Sequence, residues 1–172
     1  MEIRVVAAKK SDQLALGSLF QLYSYDFSEI LPLHVDDGTG RFEEGSLDAY
    51  WIDAWRFPFL LRAAGHLAGF ALVHSKSRLS DADDVWDMAE FFVLRGYRRT
   101  GLGTAAAHQI FAAHEGPWEV RQRTENVAAT AFWRKLIGGY AGSDLTEEWF
   151  DDERWRGPVQ RFRSPPRPAG KP

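Results

Sequence analysis

The chain has 172 residues, which sets one domain as the expectation, and 45% hydrophobic residues with 7 Trp supply enough apolar matter for a core of its own. A formal net charge of −3, from 21 basic and 24 acidic side chains, excludes the broad positive field that holds nucleic acid or an anionic membrane. The absence of cysteine removes disulfides, thiolate zinc sites and thiol nucleophiles, and His34, His66, His74, His108 and His114 show no metal-ligand spacing, so no metal is expected.

The charge is unevenly placed: residues 1–90 carry 8 Lys/Arg against 15 Asp/Glu, whereas residues 91–172 carry 13 against 9. One half is suited to a cation and the other to an anion. The first residues are too charged for a signal segment, and no apolar run approaches the ~18 residues that span a bilayer, so a cytoplasmic protein is expected.

In chain order, residues 3–7 read as a strand, and Ser11-Asp12 caps an amphipathic helix that carries Leu14, Leu16, Leu19, Phe20, Leu22 and Tyr23 and ends near Asp26. A Gly-containing polar loop leads to a short helix expected from Ser46 to Trp55. Pro58 then opens a hairpin of two strands around Gly65. An acidic loop at residues 80–84, read as a solvated connection, precedes a strand at residues 88–94. A glycine loop and an Ala-rich helix to Ala113 follow. A strand at residues 118–123 is followed by a helix that opens at Asn126 and that Gly138-Gly139 is expected to stop. Two closing strands lie around Trp149-Phe150 and residues 159–162. The domain is thus residues 1–163, and residues 164–172 form a Pro-rich disordered tail. Trp149 and Trp155, read as exposed, mark a candidate homodimer surface or else close the core.

The loop Arg98-Arg99-Thr100-Gly101-Leu102-Gly103-Thr104 carries the chemistry. A loop entering a helix leaves the first N–H groups without intrahelical partners, and those donors with the helix dipole make an anion site. Gly101 and Gly103 let a phosphate approach without meeting a Cβ, and Arg98 and Arg99 add charge-assisted bonds. A pyrophosphate is the natural guest; the competing reading is a tight turn with two solvated arginines. A dinucleotide-binding fingerprint over residues 101–106 fits poorly because residues 95–100 separate the strand from the first glycine, and no Lys-Ser or Lys-Thr follows to make a nucleotide-triphosphate loop.

At these residues the chain resembles the GNAT acyl-CoA N-acyltransferases. Arg98, Gly101 and Gly103 match the fixed positions of that superfamily's loop motif, and Asn126, Ala129, Phe132 and Trp133 fall at the spacing of its following helix. The resemblance implies an α/β (α+β) domain with a mixed, mostly antiparallel sheet, flanked by helices and splayed between the fourth and fifth strands. It places acetyl-CoA in the splay as co-substrate, its pantetheine arm on the backbone of Phe92 and Val93 and its pyrophosphate on the amides of residues 98–104. Asn126 reaches the arm from the next helix, or serves only as its N-cap, or does both. The family often has a Tyr after the motif aromatic to protonate the leaving thiolate; here Trp133 stands there, read as a packing or cofactor-contacting residue, and Tyr140 or Tyr97 is the substitute.

Transfer to an amine needs the nitrogen deprotonated. Glu90 interrupts an apolar run beside the expected site, as a carboxylate of raised pKa acting as general base would, or as an outward-facing surface residue would. Tyr25, Asp26 and Phe27 belong to an acidic, aromatic stretch that suits a cationic acceptor or is simply a solvated surface. The implied function is acetyl-CoA-dependent N-acetyl transfer to a primary amine of a small molecule or peptide, in a ternary complex; the alternative is a non-catalytic acyl-CoA-binding or protein-interaction module.

Overall fold

A computed structural model describes residues 1–45 and 47–166. Among them, strands β1 (Ile3–Ala7), β2 (Arg56–Ala63), β3 (His66–His74), β4 (Trp86–Val93), β5 (Gly116–Arg121), β6 (Thr146–Asp151) and β7 (Arg156–Ser164) form one sheet in the order β1-β2-β3-β4-β5-β7-β6. Its helices are α1 (Gln13–Phe27), α2 (Leu102–Ala113) and α3 (Val127–Ala141). The sheet is antiparallel except where β4 runs parallel to β5. This is the mixed, helix-flanked α/β architecture expected from the sequence.

Helices cover both faces because each sheet face is apolar. Leu60, Phe70, Leu72 and Phe92 pack with Leu16 and Leu19 of α1 on one side. Ala71, Val73, Met88, Trp118 and Val120 pack with Ile110 and Phe111 of α2 and with Trp133 and Ile137 of α3 on the other.

Two local features shape the site. β4 and β5 pair only at Trp86↔Trp118, Asp87↔Glu119 and Met88↔Val120, and beyond Met88 the two strands part. On its other edge, β4 pairs Glu90 with Leu72 but Met88 with Val73, leaving Ala89 as an extra residue. Such a bulge turns the following side chains to the opposite face. Met88 therefore faces α2 and α3, while Glu90 shares the α1 face with Leu72. Gly69 permits the close approach of β3 to β4 here, since a Cβ on it would stand 2.0 Å from the Phe92 carbonyl oxygen.

Several boundaries differ from those expected. β2 opens at Arg56, and the short helix before it is a 3-10 turn, Leu47–Trp51, whose expected cap Ser46 lies outside the described residues. The hairpin turn uses Ala64 and Gly65, both at positive φ (48° and 83°), the geometry that matches strand twist. Helix α3 runs through Gly138 and Gly139 and stops at Gly142, which takes φ 57°. Two interior glycines weaken a helix by about 1 kcal/mol each, and burial of Leu136 and Ile137 outweighs that cost. β7 continues through Ser164, which is fully buried and donates to the Phe111 carbonyl at 2.7 Å, one residue past the expected domain end. Of the expected tail, residues 167–172 lie outside the described residues. No helix among the described residues is long and apolar enough to cross a membrane.

Candidate active site

Where β4 and β5 part, a cleft of about 980 Å³ opens between α1, α3 and the β6–β7 turn. Its β4 wall holds Glu90 and Phe91, and its α3 wall holds Asn126, Ala129 and Trp133.

Glu90 accepts a hydrogen bond from the Tyr23 hydroxyl of α1. Burial raises the Glu90 pKa; the Tyr23 bond and the Arg121 charge pull it down, and Asp87 pushes it up. Burial and the Glu90 charge raise Tyr23 well above the ordinary phenol range, so the phenol keeps its proton and serves as donor. The bulge at Ala89 makes this pairing, since strict alternation along β4 would send Glu90 to the other face.

A second polar chain crosses the cleft floor. Tyr50 shares a 2.6 Å hydrogen bond with Nε2 of His74, whose Nδ1 lies 3.6 Å from Asp87. Asp87, fully buried, binds Arg121 through both carboxylate oxygens at 3.1 and 2.8 Å. Arg121 stacks under Trp155, 4.5 Å from the ring centroid. Burial and the charges of Arg56, Arg121 and Arg78 lower the His74 pKa to about 4, so at neutral pH this imidazole is uncharged. Trp155 thus caps a buried ion pair on the cleft rather than marking an outer surface, while Trp149 is exposed.

Near this cleft lies the loop of residues 98–104. A 3-10 turn, Arg95–Tyr97, ends on Arg98, Arg99 adopts φ 62°, and Gly101 caps α2 at φ 87°, where a Cβ would be strained. Arg98 N–H bonds to the Arg95 carbonyl at 3.2 Å and Ala105 N–H to the Gly101 carbonyl at 3.0 Å, but among the described residues the amides of residues 99–104 make no hydrogen bond. Thr100 Oγ1 donates to the Tyr97 carbonyl and steadies the turn. Leu102 is fully buried and anchors the helix start. Gly103 also has a packing role: a Cβ there would meet the Phe132 ring at 3.2 Å.

Not all the predicted residues come together. Phe27 lines the cleft, but Tyr25 and Asp26 stand outside it. Asp26 instead binds Arg98 and, at 3.0 and 2.8 Å, Arg95, which hold its carboxyl below the ordinary range. The carboxylate expected to face a cationic acceptor thus neutralises the loop. Tyr140 is also off the cleft, its hydroxyl 2.9 Å from Ser164 Oγ in the core between α2 and β7. The Val93 carbonyl accepts from Arg98 Nε at 2.8 Å, and the Phe92 ring is buried against α1. Asn126 does cap α3, accepting from Ala129 N–H at 3.1 Å, and also lines the cleft; Trp133 lines it too, edge-on to Phe91 at 5.2 Å.

Sequence reasoning missed Tyr50, His74, Asp87 and Arg121; it placed Tyr23 on the aromatic side of α1 but not beside Glu90, and Trp155 at a surface or core but not over Arg121. A signal existed for Asp87, which interrupts the same apolar strand as Glu90, whereas Arg121 follows Glu119 in the ordinary polar alternation of β5.

A family model described as the acetyltransferase (GNAT) family matches residues 19–138. No curated protein matches the chain. Among solved structures, a GNAT-family acetyltransferase from Staphylococcus aureus Mu50 is similar over 94% of this chain and 99% of its own, with TM-score 0.65 and 11% identity. The ribosomal-protein-S18-alanine N-acetyltransferase of Escherichia coli aligns over 99% and 97%, with TM-score 0.58 and 17% identity. Spermidine N-acetyltransferase from Vibrio cholerae, in complex with CoA and spermine, aligns over 94% and 95%, with TM-score 0.60 and 12% identity. These likenesses establish the fold, and the family match adds lineage: the chain belongs to the acetyltransferase (GNAT) family.

Proposed function

We propose that the protein transfers an acetyl group from acetyl-CoA to a primary amine, directly and in a ternary complex. The observation that carries this reading is Glu90, a cleft-lining carboxylate of raised pKa held by Tyr23 at the point where β4 leaves β5.

The free amides of residues 99–104 and the arginines Arg98 and Arg99 fit a pyrophosphate, since six consecutive N–H groups entering a helix favour an anion. Open space around Gly101 leaves the backbone accessible there. On this reading the β4 backbone at Phe92 and Val93 and the α3 side chains Asn126 and Trp133 flank the pantetheine arm. When bound, acetyl-CoA supplies an acyl group activated as a thioester.

The chain's own residues handle the proton. An ammonium has no lone pair, so Glu90 accepts its proton, directly or through water, and the freed nitrogen attacks the thioester carbonyl. Burial moves the carboxyl toward the pKa of the amine and makes it a better base than an exposed glutamate, while the Tyr23 hydrogen bond offsets part of that rise. As the carbon–nitrogen bond forms the carbon–sulfur bond breaks, the sulfur leaves with its electron pair, and the second proton of the nitrogen passes to the departing thiolate or to solvent. A thiol of pKa about 8.5 leaves as thiolate with little help, and Tyr140, turned into the core, is not in position to assist.

Calorimetry with acetyl-CoA and thiol release over a panel of amines test the reading. Micromolar binding, turnover on at least one amine and loss of turnover in Glu90→Gln are expected. Binding without turnover on any amine would leave a non-catalytic acyl-CoA-binding module.

A further inference from the structure

The cleft is lined by the cations Arg56, Lys76, Arg78, Arg121, Arg123 and Arg154. Four of them have carboxylate partners: Arg56 with Asp53 at 3.0 Å, Lys76 with Asp83 at 3.8 Å, Arg121 with Asp87 at 2.8 Å and Arg154 with Asp81 at 2.9 Å. Among the described residues, Arg78 and Arg123 have no ion pair and no side-chain hydrogen bond, and both are exposed on the cleft. Arg123 is nonetheless held in place, its guanidinium 5.7 Å from the Trp155 ring centroid beside Arg121.

These two charges line the same cleft as Glu90 and Tyr23. Arg78 is felt at both Glu90 and His74, and Arg123 at Tyr23. Glu43 and Glu153 also line the cleft, but neither is among the charges that act most strongly on Glu90 or Tyr23. Gln122, between the two β5-end arginines in sequence, is 3% exposed and lines the same cleft, and neither its side-chain nitrogen nor its oxygen has a partner. A buried amide left with both groups unpaired needs a polar partner, a need that a water meets as well as a ligand does.

The geometry points to an acceptor that is a zwitterion: an amine at Glu90 and, in the same cleft, a carboxylate or similar oxyanion bound by Arg78 and Arg123. This rests on the acetyl-transfer reading, because Glu90 marks where the amine sits. A guanidinium suits the oxyanion because it presents parallel N–H donors that match two oxygens. A long polycation fits poorly, since it would bring further positive charge against two unpaired arginines.

The test uses the common L-amino acids, each beside its amide, with aminoalkylphosphonates and spermidine as further arms. Thiol release should favour free acids over their amides by about tenfold or more in kcat/KM, the equivalent of one charge-assisted hydrogen bond. Arg78→Ala and Arg123→Ala should each erode that preference, through KM rather than kcat, with CoA affinity unchanged as the sign of an intact fold. The phosphonates decide between a carboxylate and a phosphorus oxyanion. Amides or spermidine used as well as the acids, or a preference that survives in the double variant, would overturn the proposal while leaving acetyl transfer standing. If no amine is turned over, the acetyl-transfer reading fails, and calorimetry of the same acid and amide pairs on CoA-saturated protein still decides. Acid-selective binding that Arg123→Ala weakens supports the oxyanion subsite, and equal or absent binding refutes it.

Discussion

Two arginine-bearing regions of this molecule use their charge in opposite ways. In the loop of residues 98–104 the backbone is the receptor: amides 99–104 lack partners while Arg98 is already bound to Asp26. In the cleft between β4 and β5 the receptor proposed for the acceptor is instead made of side chains, with Arg121 neutralised by Asp87 and, among the described residues, Arg78 and Arg123 left without an ion pair. A contiguous segment can therefore present its free amides by itself, whereas the cleft wall exists only after α1, β3, β4, β5 and the β6–β7 turn have met.

The comparison is broken most severely at Glu90, the point where the two regions join. Glu90→Gln should lower kcat/KM on the best amine by about a hundred- to ten-thousandfold, read by thiol release, with CoA affinity kept. The acid limb of the wild-type profile should lie above the ordinary glutamate range, because activity needs the ionised carboxylate and burial raises its pKa. Tyr23→Phe removes a donor that pulls this pKa down, so the limb should move to higher pH.

Next in size is the buried pair under the cleft wall. Asp87→Ala leaves Arg121, whose side chain is 5% exposed, without its carboxylate, at a cost of about 3–5 kcal/mol in denaturant unfolding. An undiminished stability would show that water or another anion replaces Asp87.

On the loop side, Gly103→Ala sets a Cβ 3.2 Å from the end of the Phe132 ring; crowding of about 1–3 kcal/mol is offset by the about 1 kcal/mol that alanine gains over glycine in a helix, and shortening Phe132 to Leu should leave only the gain. Loss of CoA binding in both variants would support a phosphate-approach role for this glycine.

His74 gives a pH signature. Its folded pKa of about 4 lies below the unfolded value of 6.5, so as pH falls through 6.5 the unfolded chain takes a proton that the native state refuses. Stability should decline from pH 6.5 to about 4 and this contribution should level off below, with a slope of at most about 1.4 kcal/mol per pH unit. His74→Gln should remove that slope, measured by denaturant midpoints across the range.

The smallest effect falls on Asp26. If it competes with a pyrophosphate for Arg98, Asp26→Asn should tighten CoA binding by about two- to fivefold, in the range of an exposed ion pair. Weaker binding would mean that Asp26 positions Arg98 for its ligand.

The sequence alone determined what depends on near neighbours. Strand alternation, helix caps and the spacing of Arg98, Gly101 and Gly103 are local, and they were sufficient for the fold class, the loop-to-helix turn and the family. The splay followed from the family resemblance, and Glu90 stood out because a carboxylate in an apolar strand is costly unless it is used. Tertiary structure decided the rest. One extra residue at Ala89 chose the face on which Glu90 stands, and register of this kind is invisible to composition or periodicity. The acidic first half, expected to receive a cation, spends Asp26 on the loop and Asp87 on Arg121, so the charge left over in the cleft includes Arg78 and Arg123. Net charge is fixed by the list of residues, but the field at a site depends on which charges fold against each other and which remain open to a ligand.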